Sequence, residues 1–346
     1  MSEELSQRAK LILSAVIANY IATAEPVGSR TISKLTGIEV SPATIRNVMC
    51  DLEDMGFLAQ PHVSSGRVPT SHGLRFYVDS ILEVRELDQQ AKAQIRQALR
   101  EQQLLDIREV LKAASRSLSL ISQQAAVVVA PPPEQEVFRH MEFVLLRPGL
   151  ILVVFVAKSG GVQNRIIESE TDITQEDLDK FTRYLNDLLA DLNLNEVKER
   201  VAREMAREKV RFDRVLSRAL KLGQKALPGA GPGDVYVEGQ TNLMGAPEFA
   251  DVARLRLIFQ AFEEKSTLLR LLEKSLVAPG VQLFIGAESE LAGLEGLTAV
   301  TAAYGGQNTP LGALGVIGPT RMDYSKVIPI VDYTAQLVGR ILGARD

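Results

Sequence analysis

The chain has 346 residues, a formal net charge of −4, one cysteine and three histidines. This length suits two or three domains, one cysteine excludes an intramolecular disulfide, and so few Cys and His side chains argue against a structural zinc site. The longest apolar run, Leu150 to Ala157, is far too short to span a bilayer, and the opening MSEELSQRAK lacks the apolar core of a signal peptide, so a cytoplasmic protein without membrane contact is expected.

An acidic total speaks mildly against general coating of nucleic acid, because phosphate neutralisation dominates such binding. The charge is uneven, however. From Val40 to Cys50 the one charge is Arg46, and from Met55 to Val78 the formal charges are Arg67 and Arg75, with His62 and His72 among them.

In chain order, Leu5, Ala9, Ile12, Val16 and Tyr20 step by three and four, which predicts an amphipathic helix ending before Glu25-Pro26. A short second helix follows Ser29 and closes at Gly37. The third has the clearest start in the chain, with Ser41 as N-cap and Pro42 at the first helical position, and it stops at Gly56. Its Ile45, Val48, Met49 and Leu52 mark an inward face, leaving Ala43, Asn47, Cys50 and Asp54 opposite, flanked by Thr44 and Arg46. Two extended runs around the turn Val63-Ser64-Ser65-Gly66 come next. Three helices and a hairpin predict a winged helix-turn-helix.

Ser71 caps a further helix that leads into a polar, Gln-rich helical stretch. Strand periods then cover 125–130, 138–146, 150–157 and 162–167, the last three joined by hairpin signals into an antiparallel meander. From Thr174 to Leu222 the chain is charged and helical, with Leu178, Phe181, Leu185 and Leu188 as an apolar stripe lacking an evident partner within that block. A Gly/Pro linker spans 227–233, helices cover 248–276, strands return at 281–287, 297–304 and 309–317, and a final helix carries Val327 to Ile341. Strands on both sides of a charged helical block predict an α+β domain interrupted by an insertion.

The second helix of a helix-turn-helix presents its N-terminal residues to major-groove base edges. Ser41, Ala43, Thr44, Arg46 and Asn47 suit that role. Arg can donate twice to guanine, Asn can pair with adenine, and small apolar groups pack on the thymine methyl. Asp54 lies on the same face, but roughly 16 Å further along the axis. In the wing, His62, Ser64, Ser65, Gly66 and Arg67, followed by Arg75, are candidates for phosphate or minor-groove contact. The competing reading is a three-helix bundle with a solvated polar face. Cys50 has no neighbouring His or Lys in sequence to activate it, the glycines of 229–233 lack phosphate-loop spacing, and Arg321 reads as paired to an acid rather than as part of an anion-binding loop. No catalytic set, metal site or cofactor motif emerges. An effector pocket within residues 120–330, or an enzyme carrying a DNA-binding appendage, are the other readings left open.

SPATIRNVMCDLEDMGFL followed by PHVSSGRVPTSHGLRFYVD resembles the DNA-binding head of the HrcA family of bacterial heat-inducible transcription repressors, and VYVEGQTNLM, FIGAESE and GVIGPTRMDYSKVI resemble its later segments. The resemblance implies a winged-helix head at 1–88, a GAF-like α+β domain with a connecting helix at 89–171 and 234–346, and an inserted, mainly helical dimerising domain at 172–233. It also implies a homodimer on an inverted-repeat operator of double-stranded DNA ahead of chaperone operons, with activity supported by the chaperonin.

Overall fold

The computed structural model describes residues 5–35, 40–62, 65–102, 107–131, 137–158, 162–169, 173–190, 192–193, 196–197, 199–204, 222, 234–289, 296–305 and 310–343. The amino-terminal unit contains α1 (Gln7–Thr23), α2 (Ser29–Ile32), α3 (Pro42–Asp54), a two-stranded antiparallel hairpin of β1 (Leu58–Ala59) and β2 (Val68–Pro69), and α4 (Ser71–Ser80). Its apolar stripes converge as the periodicity requires: Ile12, Leu13, Val16 and Ile17 of α1 meet Ile32 of α2 and Ile45, Met49 and Leu52 of α3.

The helices α5 (Gln89–Gln102) and α6 (Ile107–Ser122) lead to β3 (Ala125–Val129). The following strands β4 (Phe138–Arg147), β5 (Leu150–Ala157) and β6 (Val162–Glu168) form the expected meander, and α7 (Gln175–Leu189) follows them. Beyond the insertion come β7 (Val235–Glu238), two 3-10 turns, α8 (Val252–Glu263), α9 (Lys265–Leu276), β8 (Val281–Ile285), β9 (Leu297–Gly305), β10 (Pro310–Pro319) and α10 (Tyr324–Gly343).

The body is an antiparallel sheet in the order β7-β3-β10-β9-β8. It is covered on both faces, so its strands read as nearly continuous small apolar runs rather than as clean alternation. Ala126, Val128, Val300, Leu314 and Val316 face α6 and α10, while Ala125, Val127, Ala299, Ala313 and Ile317 face α8 and α9. Close strand contact explains Gly315, where a Cβ would lie 2.4 Å from the Val300 carbonyl oxygen.

The meander does not join this sheet. It is a separate three-stranded sheet, and Phe138, Met141, Phe143, Ile151, Val153 and Phe155 bury one of its faces against Leu178, Phe181, Leu185 and Leu189 of α7. One expectation is corrected here. The interruption of the body begins after β3, not at residue 172, because β3 pairs with β7 and the chain between them has its own core. The apolar stripe of α7, without an evident partner within 174–222, packs on β4 and β5 outside that block; only the strand and helix periods, and not what each face meets, are written in the sequence. The linker at 227–233 and most of the expected helix beyond α7 lie outside the described residues.

Candidate nucleic-acid interface

The start of α3 is built by its cap. The Ser41 hydroxyl accepts from the Thr44 amide at 3.2 Å and lies 2.9 Å from the Thr44 hydroxyl, while Pro42 occupies the first turn, where no amide donor is needed. With Ile45, Met49 and Leu52 buried, the helix has one rotational setting, and that setting leaves Ala43, Arg46 and Asn47 exposed, with Thr44 half-buried at their edge. The five residues expected to read bases therefore share one open helix start.

The hairpin is held beside it. Ser65 closes the turn: its hydroxyl donates to the His62 carbonyl at 2.7 Å and accepts from the His62 amide at 3.0 Å, and Gln60 donates to the Ser65 carbonyl at 3.1 Å. His62 is exposed, and Ser64 lies outside the described residues. The base of the hairpin is tied to the segment between α1 and α2 by two backbone bonds, Val27 N–H to Arg67 O at 2.8 Å and Arg67 N–H to Val27 O at 2.9 Å. Gly66 permits this approach, since a Cβ there would fall 2.5 Å from Val27 backbone atoms. Between hairpin and helix lies a groove of about 270 Å³ lined by Gly28, Ser29, Arg46, Ser65, Gly66 and Arg67, among others. Gly28 and Ser29 were not foreseen from sequence; only the tertiary contact at Val27 brings them to the site.

Arg67 and Arg75 are placed differently from expectation. Arg67 is 15 % exposed; it pairs with Glu53 of α3 at 2.7 Å and donates to the Cys50 sulfur at 3.8 Å, so its charge braces the hairpin against α3 instead of standing at the wing tip. Arg75 faces the body. Its guanidinium forms a two-pronged pair with Glu288, donating from Nε to Oε1 at 3.1 Å and from Nη2 to Oε2, and also donates to the Leu283 carbonyl at 2.7 Å. Burial works to raise the Glu288 pKa, but the Arg75 hydrogen bond and the Ile285 amide outweigh it, and the carboxyl is held below its ordinary value; the same hydrogen bond raises Arg75. A second contact crosses the same joint: Arg321 pairs with Glu248, as expected of an acid-bound arginine, and donates to the Ile21 carbonyl of α1 at 3.4 Å. Tyr20 sits beside this pair, its pKa raised by burial and then by Glu248. One buried cluster runs from Ile12, Ile45 and Leu52 of the head into Leu118, Val300 and Val331 of the body.

A polar helix start stands beside a braced hairpin, on a head clamped to the body, an arrangement in keeping with a transcription regulator. The family model described as HrcA protein C terminal domain matches residues 108–328. The heat-inducible transcription repressor HrcA of Geobacter sulfurreducens is 51% identical over 340 residues, covering 98% of each chain, and that of Syntrophobacter fumaroxidans is 50% identical over 341 residues with the same coverage. A solved structure described as a hypothetical protein aligns with a TM-score of 0.66 and 22% identity, over 99% of this chain and 100% of the other, which establishes likeness of fold. The chain belongs to the HrcA family, which is one of transcription repressors and not of enzymes. Among the described residues no helix is long and apolar enough to cross a membrane.

Proposed function

We propose that this repressor binds an inverted-repeat operator in double-stranded DNA as a homodimer, with residues 1–88 acting as a winged-helix head on a GAF-like body. The observation that carries the reading is the capped start of α3, where Ala43, Arg46 and Asn47 are exposed while Ile45, Met49 and Leu52 of the same helix are buried. Ser41 and Thr44 border that surface, and His62, Ser65 and Gly66 offer phosphate or minor-groove contacts from the hairpin, with Ser64 assigned the same role from sequence. Arg67 supports this surface through Glu53, and Arg75 sets the head on the body.

For the dimer, the support is the outer face of the meander. Val144, Leu146, Val162 and Ile166 are exposed there on a unit with its own core, an apolar sheet face suited to a second copy of the chain. Repression follows from occupancy of the operator in the cytoplasm, without catalysis or cofactor. Release on heating and recovery with chaperonin rest on the family resemblance.

Footprinting on the protein's own genomic DNA, with and without chaperonin, tests target and partner together. A protected inverted repeat, with a larger active fraction when chaperonin is present, is the expected result; protection indifferent to sequence refutes operator recognition. In sedimentation, Ile166→Lys is expected to shift the protein toward monomer, and an unchanged dimer rejects the meander face as the interface.

A further inference from the structure

Where α5 runs beside α10, a groove of about 540 Å³ is lined by Gln89, Lys92, Arg96, Arg100, Tyr333 and Arg340, among others. The inward face of α5 is settled by Ala91, Ile95 and Leu99, all buried, so Arg96 and Arg100 are exposed on the groove side; Arg340 is exposed on the opposite wall. The lining holds four cations and no carboxylate, in a chain whose net charge is −4. The only acid that reaches it in an ion pair among the described residues is Glu86, 3.5 Å from Lys92 and 93% exposed, free to swing into water.

We propose that this groove holds the phosphate backbone of the duplex flanking an operator half-site. Lys92, Arg96 and Arg100 recur every four residues, which spaces them by about 6 Å and the row by about 12 Å. Along one DNA strand charges recur about every 3.4 Å of axis, so the row spans three to four phosphates. The Tyr333 ring has Lys92 Nζ at 6.0 Å and the Arg96 guanidinium carbon at 5.9 Å from its centroid. Its face is therefore turned to cations rather than offered as a stacking platform for a base, which favours backbone contact over capture of a single-stranded segment or free nucleotide. The groove also begins where the head joins the body: Val84, Glu86 and Leu87 of the connecting segment line an adjoining recess together with Lys92 and Tyr333. That recess also holds Asp332, so the cationic row proper starts at Lys92 and runs away from the head–body connection along α5, and the proposal rests on the operator-binding reading.

The test compares the full-length protein with the triple variant Arg96→Gln/Arg100→Gln/Arg340→Gln on two duplexes. One is the inverted repeat alone; the other is extended by about one helical turn, roughly 10 base pairs, on each side. The intact protein is expected to bind the longer duplex at least tenfold more tightly at low salt. The variant is expected to keep its affinity for the short duplex and lose the gain from length, with its log–log salt slope on the long duplex reduced by about 0.9 for each phosphate contact removed. The matching Arg→Lys triple should recover most of that slope. Identical slopes and length dependence in intact protein and variant overturn the proposal, as does equal loss on both duplexes. Preferential binding of poly-glutamate over duplex at this groove, abolished by the same substitutions, assigns it to an acidic polypeptide and also overturns it. An intact protein that does not prefer its operator to scrambled duplex refutes the underlying reading instead.

Discussion

Replacing Glu288 by Gln probes how the head is set on the body. The substitution keeps the side-chain size but removes the charge that Arg75 meets with two nitrogens, while the Leu283 carbonyl still accepts from Arg75 at 2.7 Å. Two unit charges about 4 Å apart attract by about 4 kcal/mol at an effective dielectric of about 20. The side chains are 29% and 37% exposed, so solvent screening removes much of this, and a net loss of about 1–2 kcal/mol in head docking is expected. Glu288 is held below its ordinary pKa of 4.5, so the contribution is complete at neutral pH and disappears as pH falls through the lowered value. Intact and Glu288→Gln proteins should therefore differ in stability at pH 7 and converge in acid. Hydrogen exchange of the 81–88 connection and of β8 reads local opening, and a double-mutant cycle with Arg75→Gln isolates the coupling. A coupling energy near zero, or unchanged exchange in both segments at neutral pH, refutes the clamp.

Arg46→Ala and Asn47→Ala are each expected to weaken specific operator binding by about 1–3 kcal/mol and to relax preference at one base pair, measured by competition against single-position operator variants. Arg67→Ala should act mainly through the fold, lowering denaturant stability by about 1 kcal/mol through loss of the Glu53 pair, with a smaller change in salt slope than Arg46→Ala. Gly66→Ala is expected to cost about 2–3 kcal/mol in urea unfolding, because the new Cβ must part the Val27–Arg67 bridge; a stability within about 0.5 kcal/mol of the intact protein contradicts the contact.

The proposed recognition surface is legible in the amino-acid sequence because its determinants are local. The Ser41-Pro42 start, the inward stripe of Ile45, Met49 and Leu52, and the 3.6-residue period together leave only one side of α3 for Ala43, Arg46 and Asn47. The body strands are legible as short, nearly continuous runs of small apolar residues, which is also a property of neighbouring residues. Tertiary structure alone decides what each face meets. Arg67 stands in a stretch without acids, yet it pairs with Glu53 from the preceding helix; Arg75 has Asp79 one turn further on, 3.7 Å away, yet its two-pronged partner is Glu288, 213 positions away. The boundary of the insertion likewise depends on strand pairing: an antiparallel run at 138–168 could extend the body sheet or stand alone, and the pairing of β3 with β7 chooses the second. Side-chain pattern specifies which face of an element is buried, whereas the choice of partner is made by all elements packing together, and so it emerges only when the chain is folded.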